Sequence, residues 1–164
     1  MISKTLLTSI FLSFLLTLNA FSAGSSDSGS SKTKTQYDMA VSHINAAKKF
    51  EEKDKLKKAK KRYEKAQKLL IQSNEKFPNK ANTLNYLGFT TRKLGDYENG
   101  EKYYLQGLAI DPNHKGINEY LGELYVATNR HNLAVERLEV LKNCNCKEYE
   151  DLKAIIAGEK VSKY

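Results

Sequence analysis

Tryptophan is absent from this 164-residue chain, and proline and cysteine each occur only twice. With so few prolines, most of the chain is free of helix breakers, and helix-forming residues dominate it after residue 34. There is no glycine-rich phosphate loop, no nucleophile elbow and no metal-ligand spacing. His43, His114 and His131 are scattered, with no two on one helix face, so neither an acid–base pair nor a metal cluster is expected. The reading that follows is no enzyme, no cofactor and no metal. After Ala23 no apolar run approaches the roughly 20 residues a membrane-spanning helix needs.

What is present begins with an N-terminal targeting pattern. Met1 to Ala23 carries the basic Lys4, an apolar run from Leu6 to Leu18 broken only by Ser and Thr, and alanines at 20 and 23. That is the pattern of a secretory signal peptide, with an uncleaved anchor as the alternative. No lipobox cysteine accompanies it. Residues 24–35, rich in Ser and Gly, read as a disordered linker. The remainder, residues 36–158, is long enough for one domain with a continuous core, followed by a tail over 159–164. The expected location is periplasmic or secreted.

The net charge of +8 is concentrated. Between Lys48 and Lys65 there are ten basic and four acidic residues, whereas Ala81 to Tyr164 is close to balanced. For an exported chain nucleic acid is not the expected partner. Lys57, Lys58, Lys60 and Lys61 are either the wet face of a long helix or a patch for an anionic membrane or cell-wall surface. Cys144-Asn145-Cys146 admits three readings: a local disulfide, an intermolecular or metal-bound pair, or a redox couple.

The most informative pattern is a period. Pro78-Asn79 returns as Pro112-Asn113, thirty-four residues on, and Tyr86-Leu87-Gly88 returns at the same interval as Tyr120-Leu121-Gly122. Two landmarks sharing one period define a supersecondary unit stacked on copies of itself. In the unit 81–114, Leu87-Gly88 suits a close helix crossing, Gly95 a left-handed stop, Asp96 a cap for the next helix, and Pro112 a terminator. Gly100 and Gly107 stand where alanine would serve, at an expected cost of roughly 0.5–1 kcal/mol each.

This unit resembles the tetratricopeptide repeat, and the layout is similar to small exported tetratricopeptide proteins of gram-negative bacteria. A second unit at 115–146 matches through Leu121-Gly122, Tyr125, Ala134 and Leu138, with Asn129 in place of the turn glycine. A first unit at about 40–80 fits in two registers seven residues apart, reconciled if its second helix runs from about Lys55 to Lys76 along the seam Leu56, Ala59, Tyr63, Ala66, Leu70. Residues 147–157, with Tyr149, Leu152 and Ile156 on one face, read as a capping helix.

The resemblance implies an all-α, right-handed superhelix of about three helical hairpins plus the cap, seven helices or so, monomeric. It also implies a scaffold that holds another envelope protein or peptide on the concave face of the first helices. By position that face takes Asn82, Asn85, Phe89, Arg92, Glu119, Glu123 and Val126. Replacing Arg92 is expected to weaken binding and spare the fold. A carboxylate clamp is not expected, since Tyr86, Glu119, Tyr120 and Glu123 do not supply its basic set. The alternatives are surface binding through the lysine-rich helix and a redox accessory role for Cys144 and Cys146.

Overall fold

The computed structural model describes residues 34–162. The expected signal peptide and most of the linker lie outside them, as do the last two residues of the tail. Among the described residues there are seven helices and no strand: α1 Gln36–Glu51, α2 Leu56–Lys76, α3 Ala81–Lys93, α4 Tyr97–Ile110, α5 Lys115–Ala127, α6 His131–Leu141 and α7 Lys147–Ile156. They pack as three hairpins, α1 on α2, α3 on α4 and α5 on α6, with α2 against α3, α4 against α5, and α7 covering α5 and α6.

Local chemistry sets the boundaries. Thr35, placed by the sequence in the linker, instead opens α1 with a reciprocal capping box: its hydroxyl accepts from Asp38 N–H at 3.1 Å while its own N–H donates to the Asp38 carboxylate at 2.9 Å. Asp96 caps α4 by accepting from Asn99 N–H at 3.1 Å. The turns between paired helices each pass through the left-handed region, at Asp54, Gly95 and Asn129 with φ of 54°, 99° and 60°. Gly95 and Asn129 are the residues the repeat pattern assigns to that task, whereas Asp54 gives little warning.

The core is a spine shared by the hairpins. Ala40, Ile44 and Ala47 of α1 meet Ala59, Tyr63, Ala66 and Leu70 of α2, and Leu84, Leu87 and Phe89 of α3 continue the same cluster. Tyr104, Ile117, Leu121, Leu124, Tyr125 and Ala134 form its counterpart. The α2 seam is as expected except at Leu56, which begins the helix and is 60% exposed. In α7 the buried pair is Leu152 and Ile155, with Ile156 only partly covered, so the inward face lies one residue earlier than the sequence suggests.

Close helix approach explains two glycines as expected and revises the reading of two others. A Cβ on Gly88 would lie 2.5 Å from Tyr104 Cε1, and one on Gly122 would lie 2.6 Å from Leu152 Cδ2, so both crossings need a missing side chain. A Cβ on Gly107 would collide with the terminal methyl of Ile117, and one on Gly100 would press at 3.2 Å on the Gly88 carbonyl oxygen. These last two glycines are therefore not merely weak alanines: the space is taken, and the helix-propensity cost is set against tighter packing. Leu121, completely buried, is expected to cost about 2–5 kcal/mol when cut to alanine, a loss that chemical denaturation would measure as a lower midpoint with unchanged slope.

Candidate functional site

The first helices of the hairpins, α1, α3 and α5, touch one another in turn, and α7 lies on α5. On this side are two cavities. The larger opening, about 480 Å³, is lined by Asn82 and Asn85 of α3, His114 and Glu119 at the start of α5, and Tyr37 of α1. The other, about 350 Å³, lies between Lys48 of α1, Phe89 of α3, Glu119 and Glu123 of α5, Asp151 of α7 and the chain at residues 160–162. They share Glu119, Tyr120 and Glu148. Glu119 and Glu123 appear together because positions four apart lie on one helix face.

Each cavity is braced by specific contacts. His114 caps α5, its Nδ1 accepting from Ile117 N–H at 3.2 Å. Its Nε2 must then carry the proton and donate to Asn82 Oδ1 at 2.8 Å, which ties α5 to α3. Burial lowers the His114 pKa, consistent with that neutral ring. Lys48 Nζ donates to the Tyr120 hydroxyl at 3.3 Å and stands 4.7 Å above the Phe89 ring, with burial lowering its pKa against the pull of Glu119, Glu123 and Glu51. Glu51 is held by Lys93 at 2.5 Å and by the Tyr63 hydroxyl at 2.9 Å. Asp151 is paired with Lys147 and with Lys160.

Arg92 is not a groove residue. Only 2% exposed, it donates through NH2 to Glu123 Oε2 at 3.0 Å and through NH1 to the Tyr120 carbonyl at 2.8 Å, joining α3 to α5 from beneath. The expectation that it could be replaced at no cost to the fold is therefore corrected: its charge is buried in the inter-repeat joint. Val126 lines neither cavity. Asn82 and Asn85 line one cavity, Phe89 and Glu123 the other, and Glu119 both. Of these five, only Asn82 is exposed.

Glu119 differs from its neighbours. It is 8% exposed, and among the described residues no hydrogen bond or ion pair reaches its carboxylate. Burial, reinforced by Glu123, Asp151 and Glu148, raises its pKa from 4.5 to about 8, against the opposing influence of Lys147. Lys48, Lys147, Glu148, Asp151 and Lys160 also line the site, and the sequence reading missed them. They come from α1, the capping helix and the tail, which carry no repeat motif to place them on this face. The acidic flank of α7 was visible but reads as an ordinary solvated surface.

Elsewhere, Lys57, Lys58, Lys60 and Lys61 are all exposed at the start of α2, and among the described residues none has a carboxylate partner. Lys48, counted by sequence within the same basic stretch, instead faces the groove. Cys144 and Cys146 are joined as a local disulfide, Cα atoms 5.2 Å apart, across Asn145 in the left-handed region at φ 44°. The bridge sits in the connection between α6 and α7.

Stacked hairpins with a lined inner face define a helical-repeat scaffold of the protein-interaction class. Residues 81–114, the hairpin α3–α4 with its closing Asp-Pro-Asn, match the family model of the tetratricopeptide repeat, so this hairpin is a tetratricopeptide repeat. Comparison with curated proteins finds no match.

Proposed function

We propose that the protein is an exported adaptor that holds a segment of an envelope protein in the groove formed by α1, α3, α5 and α7. The observation that carries this reading is the pair of adjoining cavities, about 480 and 350 Å³, which meet at Glu119, Tyr120 and Glu148 and suit an extended segment better than a compact small molecule. Export is supported by the apolar run from Leu6 to Leu18 behind Lys4 and by a disulfide suited to an oxidising compartment. Among the described residues no helix is long and apolar enough to cross a membrane. A photo-crosslinking residue placed at Asn82 or Glu148 in the groove should yield adducts with the partner, while one at the exposed Leu105 or Val135 should not. Adducts from Leu105 and Val135 alone would place the interaction on another face.

The four exposed lysines in the first turns of α2, Lys57, Lys58, Lys60 and Lys61, favour a second reading, attachment to an anionic surface. On that reading the protein binds phosphatidylserine vesicles at low salt, loses most of that binding as the ionic strength rises past physiological, and loses it entirely when Lys57, Lys58, Lys60 and Lys61 become Glu. A vesicle sedimentation assay reads both effects, and salt-independent binding would contradict it.

A further inference from the structure

We propose that the groove seats a basic side chain, the ammonium or guanidinium of a lysine or arginine carried by the partner polypeptide, against the Glu119 carboxylate. The inference rests on the groove being the docking surface and specifies what the groove selects. Its starting point is a census of partners. Glu51 is neutralised by Lys93, Glu123 by Arg92, and Asp151 by Lys147 and Lys160. Four acidic lining residues remain outside any ion pair among the described residues: Glu52 and Asp111, which are exposed and each line one cavity only, and Glu119 and Glu148, which stand at the junction of the two.

Glu119 is mostly covered by protein, its oxygens open only into the cavities, and no ion pair reaches it among the described residues, so its charge is held at a cost that an incoming cation relieves. Lys48 does not do so: its ammonium is engaged by the Tyr120 hydroxyl and the Phe89 ring, and among the described residues no carboxylate lies within ion-pair distance of it. Its position shows that these aromatic walls accept a cation. A metal ion is the poorer fit, since among the described residues no three His, Cys, Asp or Glu side chains converge as ligands. A polypeptide source is favoured over a free amine because the second cavity, with Asn82, Asn85 and His114, extends the groove and offers backbone-binding amides beside the acidic junction.

Proton linkage should accompany binding. Glu119 is faced by Lys48 from α1, by Glu123 on its own helix, and by Lys147, Glu148 and Asp151 from α7, with Asn85 and Phe89 of α3 uncharged and Lys160 at the rim. A cation stabilises the ionised form, so binding releases the proton and strengthens as pH rises toward 8.

The test is an amide-resolved NMR titration of the full domain with the capped peptide acetyl-Gly-Gly-Lys-Gly-Gly-amide, its Gln and Glu counterparts, and putrescine, at pH 6 and pH 8. The Lys peptide should shift the amides of Glu119, Tyr120 and Phe89 saturably. It should bind about tenfold tighter than the Gln peptide and about tenfold tighter at pH 8 than at pH 6, with about tenfold lost in Glu119→Gln, a factor corresponding to one charged hydrogen bond. Equal binding of the Lys and Gln peptides at those amides, or an unchanged affinity in Glu119→Gln, would overturn the cation preference and leave the groove as a docking surface. Putrescine binding more tightly than the peptide would overturn the polypeptide source. Silence of the groove toward every probe, together with crosslinks from Leu105 and Val135 only, would overturn the docking surface as well.

Discussion

Arg92→Ala is expected to lower the unfolding free energy by about 3–5 kcal/mol, among the largest single losses available in this domain. The guanidinium is buried, pairs with the Glu123 carboxylate and donates to the Tyr120 carbonyl. Truncation leaves a buried Glu123 carboxylate, only 5% exposed, without its 3.0 Å partner. The loss comes from an uncompensated charge more than from a missing attraction. The double replacement Arg92→Met with Glu123→Leu should therefore recover most of the stability, because an apolar pair needs no desolvated ions. Denaturant titration of the two single variants and the double variant measures the coupling. A loss below about 1 kcal/mol for Arg92→Ala would show that the pair is solvated.

Glu119→Gln is expected to act in the opposite direction and to stabilise the domain at neutral and alkaline pH. With the folded pKa raised from 4.5 to about 8, the native state keeps a proton that the unfolded chain has released. The native state thus binds more protons across that window, and stability falls as pH rises from about 4.5 to about 8, by up to about 1.4 kcal/mol per pH unit. The penalty is of the order of a few kcal/mol above pH 8 and absent at pH 4. Glutamine keeps the shape and cannot ionise, so the gain should grow with pH across the window. His114 contributes with the opposite sign: its pKa is lowered, so its share of stability is lost as pH falls from 6.5 through the folded value. Subtracting the wild-type curve from that of Glu119→Gln cancels His114 and isolates the carboxylate. Keeping a destabilising group at the centre of a groove is the trade expected of a binding site.

The fold was legible in the sequence because the constraints that build it are local. Pro112, Gly95 and the Leu-Gly pairs act within a few residues of where they stand, and their thirty-four-residue spacing carries the stacking. Even the long α2 could be read from its three-and-four seam. The groove was only half legible. Asn82, Asn85, Phe89, Glu119 and Glu123, named from family position, line the two cavities, but family position cannot say which of them are covered. Whether Arg92 points into a groove or into the joint beneath it depends on the neighbouring hairpin, which supplies Glu123 and the Tyr120 carbonyl. Lys48 and the α7 residues reach the site through packing between elements far apart in sequence, for which no local pattern exists.

The central claim is that Glu119 is a mostly buried carboxylate with no ion-pair partner among the described residues at the heart of the groove, and its titration tests this directly. Following the Glu119 side-chain carboxyl carbon by NMR from pH 3 to pH 10 should give a midpoint near 8. A midpoint near the ordinary 4.5 would show a carboxylate already solvated or paired, and would contradict the account.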